Sequence, residues 1–522
     1  MTGNEPSESP SRERRGRRRG RDAPAQPAGP RQAPWHQPRR HFAPTELATE
    51  EQIEAIHQTS LQILSEIGMD FLDPEARRML AEAGAAVDPE SERVRFEPAW
   101  IEEKISTAPS EFTLHAPNPE KNLHIGGDTV AFSAVASPPN TSDEAGGRRV
   151  GNHEDFQNLV RLGHTINAVH LWGGYPVEPV DIHASVRHLD TIFDMLTLSD
   201  RVIHAYSLGA QRNRDALEMI RIVRQVDGET LDSEPSVMSI INASSPLRYD
   251  LPMLQGIIEF SSRNQVIVIT PFTLAGAMAP VTVSGALAQH NAEALAGIAM
   301  TQVVRSGAPV VYGGFTSNVD MRSGAPAFGT PEYMQTAMIT GQLTRRYNVP
   351  YRSSGVNAAN ALDAQAAYES VFSLWGAIMG GAHILLHAVG WMEGGLRASF
   401  EKMALDADLC GMVSAFLDPI DFSSEGLALD AVRDVGPGGH YFGTPHTLER
   451  FRDAFYAPLI SDWRNYEAWE EAGKPEAKER MIEVAAQFMD SYQQPPMDPE
   501  VRAELEEFVA RRKSEGGVPT DY

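Results

Sequence analysis

The fold of this chain is decided by residues 349–395, VPYRSSGVNAANALDAQAAYESVFSLWGAIMGGAHILLHAVGWMEGG. The pattern predicts a strand over VPYRSS, a loop at 355–360, a helix from Asp363 to about Met379, and a second strand over AHILLHAVG. The second strand is almost wholly apolar, which is typical of a strand buried on both faces of a parallel sheet. A strand–helix–strand unit of this kind crosses over with a right hand and leaves its strands parallel.

The same alternation recurs eight times between residues 129 and 418. Apolar runs predicted as strands begin at 129, 168, 201, 236, 265, 308, 349 and 382. Helices are predicted near 153–163, 183–198, 210–226, 250–262, 285–306, 331–346, 363–379 and 395–415, and a hairpin with its turn at Gly146-Gly147 interrupts the first unit. An open doubly wound sheet fits the same alternation, but eight similar units favour closure. We therefore predict an α/β fold, a (β/α)8 TIM barrel with an N-terminal helical extension and a C-terminal helical region.

The residues outside the predicted barrel, 129–418, divide into three parts. Residues 1–42 are rich in Arg, Pro, Ser and Gly and cannot bury enough apolar surface to offset their ordering entropy, so we predict a disordered tail. Residues 43–128 are predicted to form an extension that packs on the barrel, with amphipathic helices near 49–67 and 73–85. Residues 419–522 are predicted to form a helical cover, with helices near 448–456, 465–487 and 499–513.

The composition narrows the classes of function. The chain has 522 residues and a net charge of −25, which argues against nucleic acid as a partner of the protein body. Cys410 is the single cysteine, which excludes disulfides within the chain and thiolate metal clusters and is compatible with a reducing cytoplasm. No apolar run approaches the ~18 residues that a membrane span needs. We expect a cytoplasmic protein that binds neither nucleic acid nor membrane.

Aromatic residues and glycines follow several predicted strands, at the edge where α/β proteins bind their ligands. Lys and Arg are rare in these segments, so the predicted pocket suits an uncharged or cationic ligand. Aromatic faces attract quaternary ammonium groups by cation–π contacts of roughly 0.5–2 kcal/mol per ring. Each ring taken singly fits a packing role in the barrel, but the whole set favours a ligand role. The set is Trp172, Tyr175, Tyr312, Phe315 and Trp391.

Polar residues gather at the same predicted edge and leave a second kind of chemistry open. Asp363, His387 and Glu393 have the acid–base character that a barrel lyase or hydrolase would use, although Asp363 equally fits a helix cap. His383 and His387 lie four residues apart on a strand, roughly 13 Å by the rise per residue, so we predict no metal pair there. The chain has neither a GxGxxG motif after its first strands nor a GxxxxGK[ST] motif, and a dinucleotide or phosphate-loop site is therefore not predicted.

Three long segments carry a family resemblance: PVVYGGFTSNVDMRSGAPAFGTPE at 309–332, GAHILLHAVGWMEGGLRASFEKMALDADLC at 381–410 and VGPGGHYFGTPHTLERFRDAFYAPLISDW at 435–463. In these segments, and across about residues 43–515, the chain resembles the trimethylamine methyltransferase family. The resemblance implies a (β/α)8 barrel that moves a methyl group from an amine to the Co(I) of a separate corrinoid protein. It implies no tightly bound cofactor in this chain, the corrinoid (cobalamin) being supplied by the partner, and it implies a homo-oligomer.

The loop after the seventh predicted strand departs from the family's pattern. The family's trimethylamine enzymes carry pyrrolysine there, whereas this chain has ordinary residues near Asn360 and Ala361. The chain therefore resembles the branch without pyrrolysine, some members of which demethylate glycine betaine and related quaternary amines. A quaternary ammonium leaves as a neutral tertiary amine, so the reaction needs neither a zinc ion nor a proton donor on the leaving group.

On this basis we expect a corrinoid-dependent methyltransferase that acts on a quaternary amine such as glycine betaine. The five aromatic residues are expected to surround the cation, and Glu393 to hold it electrostatically. Asn357, Asn360, His387 and His440 are expected to hydrogen-bond a substrate carboxylate or hydroxyl, and Glu393 and His387 are the catalytic candidates. No metal ligand is predicted. Two alternatives stay open, a methyltransferase for trimethylamine or another methylated amine and a non-catalytic betaine-binding protein.

Overall fold

A computed structural model describes residues 29–520 of the chain. The first helix begins where the sequence predicts, because the Thr49 hydroxyl accepts the Gln52 backbone N–H while the Gln52 side chain accepts the Thr49 N–H. This N-terminal part contains the helices α1 (Glu50–Gln62), α2 (Pro74–Glu82) and α3 (Pro98–Ile105), and the strands β1 (Met69–Phe71), β2 (Ala86–Val87), β3 (Arg93–Arg95), β4 (Phe112–Leu114) and β5 (Leu123–Ile125).

Seven parallel strands form the central sheet, in the order β6–β18–β17–β14–β12–β10–β9. Every residue of β12, β14, β17 and β18 is buried, as the apolar runs predict for strands covered on both faces. The strands are β6 (Ala131–Ala134), β7 (Asn140–Asp143), β8 (Gly147–Val150), β9 (Ile203–His204), β10 (Val237–Ile241), β11 (Arg248–Tyr249), β12 (Val266–Ile269), β13 (Thr273–Ala275), β14 (Val310–Gly313), β15 (Thr316–Val319), β16 (Pro326–Ala327), β17 (Tyr351–Ser354), β18 (Ile384–Val389), β19 (Trp391–Met392) and β20 (Arg397–Ser399).

The strand predicted near residue 168 is reduced to one residue. Leu171 makes parallel bridges to Ser133 and to Val202, so it lies between the two edge strands of the sheet, β6 and β9. The chain leaves the ladder directly afterwards at Gly173 and Gly174, and Gly174 has a φ of 155° that residues with a side chain rarely adopt.

Helices alternate with these strands, as the sequence predicts. Most of them contribute a buried face to the core around the sheet, and the long helix near residue 300 is buried on almost every side. They are α4 (His153–Thr165), α5 (Arg187–Leu198), α6 (Ala210–Arg224), α7 (Gly228–Ser233), α8 (Leu251–Ser262), α9 (Val283–Val304), α10 (Pro331–Tyr347), α11 (Ala364–Gly380) and α12 (Phe400–Leu417).

Two small sheets stand beyond the carboxyl ends of the central strands. One has the order β13–β15–β16, and β13 and β15 directly follow the central strands β12 and β14. The other has the order β19–β20–β7–β8 and includes the predicted hairpin, whose turn spans 144–146 and leads into β8 at Gly147, with a φ of 62°. These two sheets surround the carboxyl end of the central sheet, where the sequence places the predicted site residues.

Part of the predicted disordered tail packs against the amino ends of the strands. Arg40 is buried and its guanidinium donates to the Ala382 carbonyl oxygen, while the Gln37 side chain bonds the backbone of His124 on both its N–H and C=O. His36 and Pro38 accept hydrogen bonds from the His170 ring and the Val130 N–H. These hydrogen bonds to ordered parts of the protein offset the entropy that the segment loses on ordering. The composition alone predicted that this entropy could not be offset. The rest of that prediction, residues 1–28, lies outside the described residues.

The C-terminal region is helical, but one long predicted helix is two. Helix 465–487 is interrupted at Gly473 and Lys474, both with positive φ, and at Pro475, whose ring cannot continue a helix. The predicted helix 448–456 ends early, at Arg450, and begins at Pro445. α17 packs on α12 and α4, and α18 packs on α5 and α6. The helices are α13 (Ser424–Leu427), α14 (Leu429–Val435), α15 (Pro445–Arg450), α16 (Tyr466–Glu471), α17 (Ala477–Asp490) and α18 (Pro499–Ser514).

Within residues 29–520, no helix combines the length and apolar character needed to cross a membrane.

Candidate active site

A cavity of about 700 Å³ opens at the carboxyl ends of the central strands. Residues that follow six of the strands line it, among them Tyr206 after β9, Asn242 after β10 and Phe272 after β12. This is the edge at which ligands bind in α/β sheets and barrels. Four of the predicted site residues line the cavity, namely Tyr175, Phe315, His387 and Trp391.

One wall of the cavity is a continuous cluster of rings. Phe315 is central, with ring centroids 5.1 Å from Phe272, 5.7 Å from Phe328 and 5.8 Å from His387. Trp391 closes the cluster, at 4.1 Å from His387 and 6.5 Å from Phe328. All five residues line the cavity, so several aromatic faces and edges lie within reach of one small ligand. Such a cluster is suited to an alkylated ammonium group.

A buried guanidinium lies beside this cluster. The Cζ atom of Arg352 is 5.0 Å from the Phe315 ring centroid, and the residue is 1% exposed. Burial lowers the pKa of Arg352 to about 10, so the group is still charged at neutral pH. Arg352 Nη2 lies 3.5 Å from His387 Nδ1, and the Ser354 hydroxyl lies 3.2 Å from the same nitrogen.

His387 is held as a neutral ring. Burial lowers its pKa well below the usual value, and the positive charge of Arg352 acts in the same direction. Because Nδ1 faces the donors Arg352 and Ser354, Nδ1 is assigned as the acceptor and Nε2 as the protonated nitrogen. Among the described residues Nε2 has no hydrogen-bond partner, and the residue lines the cavity, so this N–H is available to a ligand.

The backbone around Trp391 is shaped by unusual torsion angles and paired hydrogen bonds. His387 has a φ of 57° and Gly390 a φ of 99°, which turn the chain between β18 and β19. Asn357 and Trp391 bond each other twice, from the Asn357 Nδ2 to the Trp391 carbonyl at 2.6 Å and from the indole Nε1 to the Asn357 carbonyl at 3.2 Å. The main-chain carbonyl of Asn357 therefore fixes the indole ring of Trp391 at the cavity wall, and the side-chain amide of Asn357 fixes the Trp391 backbone.

Glu393 lies beside the cavity as the centre of an ion-pair cluster. Its carboxylate is 2.8 Å from Arg397 Nε and 3.0 Å from Arg148 Nε, and its side chain is 11% exposed. The next two residues, Gly394 and Gly395, line the cavity, but Glu393 itself does not. The contacts of Glu393 thus hold the turn that follows Trp391.

The opposite wall of the cavity is more polar. Tyr175 and Tyr206 meet edge to face at 4.5 Å, and the Tyr206 hydroxyl accepts the Tyr175 N–H. Arg187 pairs with Glu178 at 3.2 Å, and burial raises the pKa of this carboxyl. His188, also at this wall, bonds Asp215 at 2.8 Å.

A C-terminal helix supports this wall from behind. Arg512 of α18 bonds both carboxylate oxygens of Asp215, at 2.8 Å to Oδ1 and at 3.2 Å to Oδ2, the oxygen that His188 also bonds. Although burial opposes it, the hydrogen bonds from His188 and Arg512 hold the pKa of Asp215 below its usual value, while burial lowers the pKa of His188. The pair is therefore a carboxylate and a neutral imidazole.

The other predicted site residues lie away from the cavity. Trp172 is fully buried and donates from Nε1 to the Ser199 hydroxyl, and Tyr312 is fully buried and donates to Asn291 Oδ1. Asn357 does not line the cavity and is hydrogen-bonded to Trp391, which does. Asn360 is exposed, and its backbone oxygen accepts from Arg397; His440 is exposed in the C-terminal region, with its ring beside Phe442.

Three residues of the wall were not among the candidates from the sequence. Phe272 and Phe328 complete the ring cluster, and Arg352 supplies its charge. Arg352 did carry a signal, because it is the one charged residue within the buried strand VPYRSS, where a cation needs a partner. Phe328 follows a strand and a loop that extend beyond the predicted barrel strand. The strand–helix repeat therefore does not predict that Phe328 lies at the cavity.

The described residues contain no cluster of three or more His, Cys, Asp or Glu side chains with the spacing of a metal site. His383 lies directly before β18 and His387 lies within it, so the two rings serve different ends of the strand. The His383 ring bonds backbone groups of Tyr351 and Gly127 at the amino end, and His387 lines the cavity.

Comparison with known proteins gives the same family across most of the chain. The profile of the trimethylamine methyltransferase (MTTB) family matches residues 13–517, so it reaches further into the Arg-rich start than the segments quoted above. A glycine betaine methyltransferase of Desulfitobacterium hafniense (strain Y51) is 35% identical over 472 residues, which are 90% of this chain and 98% of the relative. A trimethylamine methyltransferase of Desulfitobacterium hafniense (strain DSM 10664 / DCB-2) is 26% identical over 477 residues, 90% of this chain and 94% of that one.

Among solved structures, a dihydropteroate synthase of Coxiella burnetii in complex with pteroic acid aligns with 58% of this chain and 99% of its own. The sequence identity is 13% and the TM-score 0.35, too low to inform the fold in detail. The family profile covers nearly the whole chain, and the glycine betaine enzyme is related over nearly its whole length. This chain belongs to the trimethylamine methyltransferase family.

Proposed function

We propose that this methyltransferase moves a methyl group from a quaternary amine, with glycine betaine as the first candidate, to the Co(I) of a corrinoid protein. The observation that carries the proposal is the ring cluster of Phe272, Phe315, Phe328, His387 and Trp391 on the wall of an open cavity. The relative that acts on glycine betaine, 35% identical to this chain, supports the choice of substrate.

The reaction asks the protein chiefly for position. The methyl carbon would form a bond to cobalt with the electron pair that Co(I) supplies, while its bond to nitrogen breaks and the electron pair of that bond stays on nitrogen in the neutral amine that leaves. The charge on the substrate nitrogen falls as this happens, so no proton donor is required. The ring cluster would hold the remaining alkyl groups and aim one methyl at the mouth of the cavity, in line with the acceptor. The acceptor corrinoid would be presented by a partner protein docked at that mouth.

We infer that the central sheet closes into a (β/α)8 barrel. The support is Leu171, which bridges in parallel to both edges of the seven-stranded sheet and so takes the place of the eighth strand. Closure would bring the loops after β6 and β9 to the same mouth as the loops after β17 and β18. We place the enzyme in the cytoplasm, with the corrinoid partner.

The direct test is methyl transfer to free cob(I)alamin under reducing, anoxic conditions. Glycine betaine, proline betaine, carnitine, γ-butyrobetaine, choline and trimethylamine are offered separately, and methylcobalamin is followed by its absorbance. We expect methylcobalamin with a quaternary amine and none with trimethylamine. Transfer from trimethylamine alone would favour the activity of the 26% identical relative instead.

A non-catalytic betaine-binding protein is the remaining alternative. It would bind one of the same amines in calorimetry and yet produce no methylcobalamin, either with free cob(I)alamin or with a corrinoid protein purified from the same source.

A further inference from the structure

We propose that Arg352 binds the carboxylate of the substrate, so that the enzyme selects a zwitterion and rejects simple alkylammonium cations. This inference rests on the proposed function and assigns to one side chain the selection among methylated amines. The occupant is an amine whose carboxylate lies close to its ammonium group.

The first step of the argument is that the charge of Arg352 has no counterion in the described chain. No Asp or Glu oxygen of the described residues lies within 4.0 Å of its guanidinium, and the other buried arginines, Arg40, Arg201 and Arg212, each bond at least two backbone carbonyl oxygens. Its hydrogen bonds are long, 3.4 Å to the Gly314 carbonyl and 3.5 Å to His387 Nδ1, and its Nε has no partner within residues 29–520. A buried guanidinium in this state is poorly compensated and favours an anionic ligand.

The second step is that the other arginines of the cavity have protein acceptors. Arg187 bonds Glu178 at 3.2 Å and the Ile182 carbonyl at 2.9 Å, and Arg212 bonds the carbonyl oxygens of Leu208 and Ala184. Arg352 is therefore the cavity arginine that combines only long hydrogen bonds with an unpartnered Nε among the described residues, and a ligand can complete its bonding. A planar guanidinium can bind a carboxylate through two parallel bonds.

The third step is distance. The guanidinium lies 5.0 Å from the Phe315 centroid, and Phe315 is the ring that contacts Phe272, Phe328 and His387. A carboxylate bound to Arg352 and an ammonium bound to the ring cluster would therefore lie close together, separated by about the width of one side chain. Glycine betaine has this character, because one methylene joins its ammonium to its carboxylate. A long spacer would push the ammonium past the rings.

The fourth step is repulsion. A cation without a carboxylate would enter the ring cluster beside an uncompensated guanidinium in a poorly solvated cavity, where like charges repel strongly. Choline and tetramethylammonium are therefore rejected by the same residue that binds glycine betaine. Discrimination comes from an unfavourable contact as well as a favourable one.

The test is calorimetric titration of the full chain and its Arg352→Met variant with three probes. Glycine betaine carries both charges, 3,3-dimethylbutyrate keeps the carboxylate but replaces the ammonium by a neutral carbon, and choline keeps only the ammonium. For glycine betaine and 3,3-dimethylbutyrate we expect Arg352→Met to raise Kd by about 100-fold, the usual loss for a buried charge pair. For choline we expect the variant to bind at least about tenfold more tightly, because a like charge is removed.

The matched control is Arg187→Met, which removes an arginine from the same cavity but one that already has partners. Loss of glycine betaine binding in Arg187→Met with retention in Arg352→Met would overturn the assignment, and so would unchanged binding in both. Arg352→Lys keeps the charge without the two-pronged donor and is expected to recover only part of the affinity. Thermal unfolding without ligand controls for folding, and we expect Arg352→Met to be as stable as the parent.

The two proposals fail in different ways. If the parent protein produces no methylcobalamin from any amine but Arg352→Met still abolishes binding of 3,3-dimethylbutyrate, the methyl-transfer proposal falls and the carboxylate site stands. If methylcobalamin forms from glycine betaine at equal rates in the parent and Arg352→Met, the carboxylate site falls and the methyl-transfer proposal stands.

Discussion

At the scale of single residues, two aromatic side chains that look alike in the sequence have separate tasks. Trp391 lies at the cavity wall, held there by two hydrogen bonds with Asn357. Tyr312 is fully buried away from the cavity, and its hydroxyl donates a hydrogen bond to Asn291 Oδ1 at 3.0 Å. Both lie at the end of a predicted strand. The direction of the side chain alone decides which of the two reaches the cavity.

We expect Trp391→Ala to raise the KM for the methylated amine by roughly 30-fold, because one ring contributes up to about 2 kcal/mol to binding a desolvated cation. Tyr312→Phe removes one buried hydrogen bond and is expected to lower the free energy of unfolding by about 1 kcal/mol while leaving KM unchanged. Steady-state methylcobalamin kinetics and urea unfolding of both variants give the comparison. A larger KM effect from Tyr312→Phe would return that residue to the substrate site.

Glu393 allows a second residue-scale prediction, because the sequence offers it as a catalytic group and the structure pairs it with Arg148 and Arg397. We expect Glu393→Gln to lower the free energy of unfolding by about 1 kcal/mol, since two charge-assisted bonds are weakened. Turnover at saturating substrate should change less than about threefold if Glu393 only holds the turn after Trp391. Loss of turnover in a variant with normal stability would instead establish the catalytic role.

At the scale of elements, histidines in or directly before the strands link neighbouring strands of the central sheet. A ring nitrogen accepts the backbone N–H of the next strand in each case, His170 from Phe132, His204 from Ile240 and His383 from Tyr351. A nitrogen that accepts a hydrogen bond cannot carry a proton. Burial lowers the pKa of His170 and His204 to about 3 and that of His383 to about 4, so these rings are neutral in the folded protein.

The stability of the protein should therefore fall as the pH falls below about 6.5, the usual pKa of histidine. In that range the unfolded chain binds protons that the folded chain cannot bind. Each such histidine therefore lowers the free energy of unfolding by about 1.4 kcal/mol per pH unit as the pH falls. The loss should continue to about pH 4, where the folded form of His383 begins to titrate. Urea unfolding at pH 7, 6 and 5 measures the slope.

A matched variant isolates one of these rings. His383→Gln keeps an acceptor for the Tyr351 N–H without a titratable group, and we expect it to reduce the slope by about 1.4 kcal/mol per pH unit. An equal slope in the variant and the parent would mean that other groups cause the acid sensitivity.

The elements themselves were largely predictable, and the site was predictable only in part. Long apolar runs separated by amphipathic helices determine the strand–helix alternation, because burial on both faces and helical periodicity both leave clear patterns. The direction of a side chain beyond a strand depends on single torsion angles, such as the positive φ of His387 and Gly390, which the pattern does not encode. For this reason Trp391 and Trp172 could not be distinguished in advance. The break at Pro475 does carry a signal in the sequence, because a proline ring cannot continue a helix.

At the scale of the whole molecule, residues 419–466, here called the arm, carry an unusual number of exposed apolar side chains. Its helices α13 to α15 have only 4, 7 and 6 residues. Phe442 is 85% exposed and Phe455 86%. Other exposed apolar residues of the arm are Ile420, Phe422, Leu427, Leu429, Leu448, Phe451, Trp463 and Tyr466. An apolar surface of this extent marks a protein–protein contact.

The same chain presents a second apolar surface near the arm. On α11 and α12, pairs of residues four apart share an exposed face, Tyr368 with Phe372 and Met412 with Phe416. The arm is fastened at its far end, where Asp408 accepts the backbone N–H groups of Leu459 and Ile460. Asp453 near that end pairs with Arg31, which precedes the segment at the amino ends of the strands. Under the proposed function, a corrinoid partner would approach the opposite, carboxyl end.

We therefore expect the arm and the α11–α12 face to be covered by a second copy of this chain in a homo-oligomer. Sedimentation velocity of the parent at micromolar concentration should show a dimer or larger species. Phe455→Glu, and separately Phe372→Glu, should shift it toward monomer, because each places a charge in an apolar contact; both side chains are exposed in the single chain, so folding should be preserved. The matched control is Met321→Glu, at an exposed apolar residue in the loop between β15 and β16, beyond the carboxyl end of the sheet, which should leave the oligomer intact. A monomeric parent, or dissociation by Met321→Glu alone, would show that these two surfaces do not mediate self-association.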